Sequence, residues 1–269
     1  MATIVHPNLL KILDVDSDAE WFVSQFHPNG TLADNQHRFV GNFAAALRAF
    51  RPLVEGVAEL HKQGTIHRDI KPQNVFLDTD GRLILGDFGL VFFTDAQHTR
   101  LSGTFENVGT RAWMPPWATD KRIEDVNASF DVYSLGKLLW FMLSGQPILP
   151  REYYDSPEYD VTRIFRRCAF IQYAKVIFKR CIVEKEQDCL PYALPLLDMI
   201  DECLYSIDHN MDLFTTVEGA ACTMCGRGFY ENILANILNV SPPYNTLIKT
   251  FRCNKCGNLQ IVASEETNS

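Results

Sequence analysis

Long apolar runs are missing from this 269-residue chain. The most apolar short stretch, Leu138-Leu139-Trp140-Phe141-Met142-Leu143, falls far below the roughly 20 residues that a bilayer-spanning helix needs. No N-terminal segment has the basic, apolar, small-residue order of a secretory signal, so a cytoplasmic setting is expected, with no membrane partner. Positive charge is scarce too: 25 Lys and Arg stand against 33 Asp and Glu, a formal net charge of -8. That balance offers no overall basic footprint for a phosphate backbone and argues against nucleic acid as a partner. Internal repeats and low-complexity tracts are lacking. What remains is 46 % hydrophobic and 22 % charged, the composition of a chain that buries a real core.

The periodicity predicts two short strands, Leu10 to Val15 and Trp21 to Val23, separated by the turn-like Asp16-Ser17-Asp18. Phe43, Leu47, Phe50, Val54, Val57 and Leu60 then recur at helical spacing, with Pro52 expected to kink the helix or start a new one, and Gly64 to end it. Val75-Phe76-Leu77 and Leu83-Ile84-Leu85 flank Asp78-Thr79-Asp80-Gly81, a hairpin signal because Asp-Gly supplies positive backbone angles. From Gly86 to Trp117 no period is visible, so a long functional loop is expected. Val132, Leu135, Leu138, Leu139 and Met142 trace a buried helix face, and further helical stretches run to about Asp208.

His67-Arg68-Asp69-Ile70-Lys71-Pro72-Gln73-Asn74 stands immediately before that hairpin, and Asp87-Phe88-Gly89 immediately after it. Each string is short, but both on the ends of one hairpin are specific. With them the chain resembles the protein kinase family, over His6 to about Asp208, and Lys71 two residues after Asp69 resembles its Ser/Thr-directed branch.

The resemblance implies ATP and magnesium as cofactors and a protein hydroxyl as acceptor. Asp69 would accept the hydroxyl proton and Lys71 would neutralise charge on the transferred phosphate. Asn74 and Asp87 would bind magnesium, a hard cation suited to oxygen ligands. His6-Pro7-Asn8 is similar to the entry to the fourth small-lobe strand, and Val23 to Leu32 to the hinge. There Gln25 and His27, with Phe76, would meet the nucleotide. Gly109-Thr110 resembles the segment that receives the substrate. Asp131, opening the central helix, would hold the backbone of the catalytic loop; an aspartate there is otherwise an ordinary helix cap. Arg68 would pair with a phosphate added to the loop, with Ser102 and Thr104 as candidate acceptors.

Two departures stand out. The family's glycine-rich loop, strand lysine and helix glutamate have no counterpart after Met1, so only a remnant of the small lobe is expected. Where the family usually reads Ala-Pro-Glu, this chain has Pro115-Pro116-Trp117, and the arginine that pairs with that glutamate is absent near Asp208-His209-Asn210. Loss of both partners is coherent, since stranding one buried charge costs about 3–5 kcal/mol.

Cysteine is plentiful, at eight. Cys168, Cys181, Cys189 and Cys203 are scattered and read as small buried apolar side chains. Cys222, Cys225, Cys253 and Cys256 form two CxxCG turns, the pattern of a closed tetrahedral zinc site, with a redox pair or coincidence as the other readings. Phe251-Arg252 and Leu259 to Val262 read as the hairpin of a zinc ribbon, where metal would supply folding energy and hold a surface for a protein partner.

The expected fold is α+β: a small-lobe and hinge remnant at 1–30, a mainly helical large lobe at 31–216, and a zinc-ribbon-like β module at 217–269. A Ser/Thr protein kinase, or part of one, is the first functional reading, and a non-catalytic kinase-like binding module the second.

Overall fold

The computed structural model describes residues 4–16, 21–87, 112–119, 125–209, 230–241, 244–255 and 259–267. Both expected N-terminal strands are present. β1 (Ile12–Asp16) pairs antiparallel with β2 (Trp21–Ser24), and Trp21, Phe22 and Val23 remain exposed.

Helix α1 (Phe43–Lys62) opens with the Asn42 side chain accepting from Ala45 N at 3.1 Å, which satisfies one of the free N–H groups of its first turn. Phe43, Leu47, Phe50, Val54 and Val57 are fully buried at the helical period. One helix continues across Pro52, so the expected new start does not occur there. Burial of this stripe holds the turn together despite the missing N–H. Gly64, at φ +73°, ends it as expected.

β3 (Val75–Leu77) and β4 (Leu83–Leu85) form the expected hairpin, with Val75 opposite Leu85. Its connection is wider than a two-residue turn. The buried Asp78 Oδ1 accepts from Asp80 N and Arg82 N at 2.9 and 2.8 Å, and Gly81 takes φ +79°. Both edges of the hairpin are covered. Leu10 N donates to Leu85 O at 2.7 Å on one side, and Leu32 N to Val75 O at 2.7 Å on the other.

Helix α2 (Ser129–Ser144) corrects a second expectation. All of its residues are buried, not one face. A helix buried all round belongs in the middle of a domain, and this one packs against α1, α4 (Tyr173–Cys181) and α5 (Ala193–Asp208), with the short α3 (Val161–Ile164) beside it. Gly145, in the left-handed region at φ +65°, closes it by donating to Phe141 O. Cys181, Cys189 and Cys203 are buried thiols and Cys168 is half-buried, as expected of the scattered cysteines.

Towards the C-terminus β5 (Tyr230–Ser241), β6 (Tyr244–Cys253) and β7 (Leu259–Thr267) form an antiparallel sheet in that order. The expected hairpin is there, with Arg252 opposite Leu259; β5 was not anticipated, because its apolar residues and asparagines do not alternate. Cys222, Cys225 and Cys256 lie outside the described residues. Among the described residues, no helix is long and apolar enough to cross a membrane.

Candidate active site

Residues 67–74 are an irregular loop whose backbone needs outside support. It comes from Asp131, fully buried in the first turn of α2. Asp131 Oδ2 accepts from His67 N at 2.7 Å and from His61 Nε2 at 2.9 Å, and Oδ1 accepts from Arg68 N at 2.8 Å. Burial alone would raise this carboxyl, yet the hydrogen bonds from the His61 ring and the His67 backbone bring it below its usual value. His61 Nδ1 accepts from Ala193 N at 3.0 Å, so Nε2 carries the proton and donates to Asp131. One carboxylate thus ties α1, the loop, α2 and, through His61, α5. Arg68 pays for the tight path with φ +68°, a conformation side chains resist.

His67 is buried, and its Nε2 lies 3.0 Å from Gly86 O, an acceptor, so Nε2 is the protonated nitrogen. Nδ1 then accepts from Asp69 N at 3.3 Å. Burial lowers the imidazole pKa, against the pull of Asp131, consistent with a neutral ring joining the loop to the end of β4.

The structure brings three of the four expected catalytic side chains into contact. Lys71 Nζ is 2.8 Å from Asp69 Oδ2. Asn74 Nδ2 donates to both Asp69 O and Asp69 Oδ2 at 2.8 Å. Both partners are acceptors, which fixes the amide orientation and leaves Asn74 Oδ1 for another ligand. Asp69 Oδ1 has no hydrogen bond among the described residues. The fourth residue, Asp87, is held nearby by the backbone: Gly86 N donates to Asn74 O at 2.8 Å, and Asp87 follows, exposed, at φ +57°. Asn74 and Asp87 thus stand at the same end of the hairpin, as expected, and their oxygen donors suit a hard divalent cation.

Of the residues expected on the nucleotide side, His27 stacks on Phe76 with ring centroids 5.7 Å apart, while Gln25 is exposed. Phe76 lies close over Gly86: a Cβ there would come within 2.6 Å of its ring. Arg68 carries a buried Nε with no hydrogen-bond partner among the described residues. Ser102, Thr104, Gly109 and Thr110 lie outside the described residues. At the end of that loop, Trp117 meets the edge of the Tyr133 ring at 5.4 Å, and Asp208 pairs with Arg48 on α1.

Sequence reasoning missed His61, Gly86 and Lys137. The one signal for His61 was a polar residue on the apolar stripe of α1. For Lys137 it was a lone cation in a stretch with no polar face. Gly86 gave no signal, because only the position of Phe76 makes a small residue necessary.

The site is thus a loop carboxylate, a lysine and oxygen donors at one end of a hairpin, braced by a buried helix. Residues 1–209 match the protein kinase domain, and the chain belongs to that family. It is 33 % identical over 149 residues to serine/threonine-protein kinase CHK1 of Saccharomyces cerevisiae, covering 52 % of this chain and 28 % of that protein. A probable myosin light chain kinase of Dictyostelium discoideum is 35 % identical over 147 residues, covering 53 % and 29 %. Serine/threonine-protein kinase PknL of Mycobacterium tuberculosis is 37 % identical over 103 residues, covering 38 % and 24 %. The chain thus spans less than a third of the length of these relatives.

Proposed function

We propose that this chain takes part in moving the terminal phosphate of ATP to Ser or Thr hydroxyls of a protein substrate. The contact set of Asp69, Lys71 and Asn74 beside Asp87 carries the reading. Asp69 accepts the proton of the acceptor hydroxyl on Oδ1, while Lys71 and Asn74 fix its other oxygen. Lys71 also stands ready to offset charge on the phosphate in flight. Asn74 Oδ1 and the Asp87 carboxylate would hold magnesium, which supplies charge neutralisation when bound with ATP. Gln25, His27 and Phe76 form the adenine side. Arg68, whose buried Nε has no hydrogen-bond partner among the described residues, would receive a phosphate placed on Ser102 or Thr104, and Gly109-Thr110 would lie along the substrate.

The division at 1–30, 31–216 and 217–269 and a cytoplasmic setting belong to the same reading. Cys222, Cys225, Cys253 and Cys256 would hold one structural zinc, giving 217–269 a surface for a protein partner. The register supports this: Cys253 ends β6 opposite Tyr230, the first residue of β5, so Cys253 stands at the end of the sheet at which β5 begins.

Transfer of labelled phosphate to Ser/Thr peptides tests the proposal, with the chain alone and with the chain joined to a kinase small lobe carrying the glycine loop and lysine. We expect weak transfer by the first, rapid transfer by the second, and a fall of about 10²–10⁴ with Asp69→Asn. A folded, ATP-binding but inert fusion would favour the binding-module reading.

A further inference from the structure

Lys137 is the one lysine of α2, and it is 3 % exposed in the middle of the core. Its ammonium makes no direct ion pair among the described residues. Instead Nζ donates to two main-chain carbonyls far apart in sequence, Ala112 O at 2.6 Å and Leu149 O at 3.1 Å. Its remaining exposure is to the face of the Tyr133 ring, 5.1 Å from the centroid, and the Tyr133 hydroxyl donates to Glu152 Oε1 at 2.9 Å. The same helix makes a second attachment, because Ser134 Oγ donates to Trp113 O at 3.0 Å.

These contacts converge on one stretch. Residues 112–118 follow the loop that holds Gly109-Thr110, and they carry Trp117 where the family pattern has a glutamate. No side-chain ion pair fixes that stretch among the described residues; two carbonyls and two tryptophan edges do.

We infer that Lys137 is a positioning residue, which clamps residues 112–118, next in sequence to the proposed substrate-receiving segment, to the central helix and to Leu149. Burial depresses its basicity, to a pKa of about 8, so keeping this ammonium charged inside the protein opposes folding. A core group that costs stability while joining two loop carbonyls is better explained by placement than by packing. The link to substrate rests on the kinase reading; the clamp itself does not.

The test compares the full chain with Lys137→Met, which fills the same volume without a donor, and Lys137→Gln, which keeps a shorter donor. Circular dichroism should show all three folded. Hydrogen exchange should show protection at residues 112–118 reduced about tenfold in the Met variant and less in Gln, with α1 and α5 unchanged. In the small-lobe fusion, the KM for a degenerate Ser/Thr peptide mixture should rise about fivefold while that for magnesium-ATP stays within about twofold. Unchanged protection at 112–118 in a folded Met variant would overturn the clamp. Failure of both variants to fold would overturn it too, since Lys137 would then be a core residue and nothing more. A fusion that transfers no phosphate but shows the exchange change would overturn the kinase reading alone.

Discussion

Asp131→Ala should destabilise this chain more than any other single change at the site. It would orphan three buried donors: His61 Nε2–H, His67 N–H and Arg68 N–H. Each unsatisfied buried donor costs about 1–3 kcal/mol. Part of the sum is returned because the buried carboxylate no longer has to be desolvated, so a net loss of about 3–5 kcal/mol is expected. Domains of this kind have about 5–15 kcal/mol in all. Asp131→Asn should cost nearly as much. Its NH₂ would face donors, and His61 cannot relieve the conflict by changing tautomer, because Nδ1 already accepts from Ala193 N. Urea unfolding at neutral pH would read a midpoint lowered by about 2 M for Ala. The pH dependence has a definite sign. The folded carboxyl lies below its ordinary 3.8, so its contribution is full above that value and lost as pH falls through the lower folded pKa. The gap between wild type and Asp131→Ala should therefore be flat through neutral pH and narrow only below about pH 4. A Asp131→Ala chain within about 1 kcal/mol of wild type would refute the view that this carboxylate organises the loop.

Lys137 should behave in the opposite sense. Its folded pKa of about 8 lies below the ordinary 10.5, so wild-type stability relative to Lys137→Met should rise between those values, by at most about 3 kcal/mol. Paired urea titrations across that range check it. Gly86→Val should weaken binding of a fluorescent ATP analogue about tenfold while leaving the helical circular dichroism intact, because the new side chain would collide with Phe76 beside His27. Chelation of zinc-loaded protein should release about one metal per chain and expose four fast-reacting thiols. Cys189 and Cys203 should stay slow, since burial raises each to a pKa of about 12.

Much of this was readable from residues in order. The loop from His67 to Asn74, the hairpin and Asp87 are contiguous, so residue types at fixed spacing were enough to place the proposed base and metal donors. The period of α1 was legible because that helix shows the core one consistent face, and the β3–β4 hairpin because two short apolar runs flank an Asp-Gly turn. Three outcomes were not legible, and each depends on residues distant in sequence. Continuity of α1 across Pro52 depends on what the rest of the helix buries. Full burial of α2 depends on α1, α4 and α5 packing round it. The roles of His61, Gly86 and Lys137 exist only through Asp131, Phe76 and Ala112, at separations no local pattern encodes. Sequence alone determined which chemical groups stand on the loop, because spacing along one strand or turn is set by covalent geometry. Tertiary structure alone decided which buried polar groups hold that loop still, because a hydrogen-bond partner is chosen by the packing of whole elements.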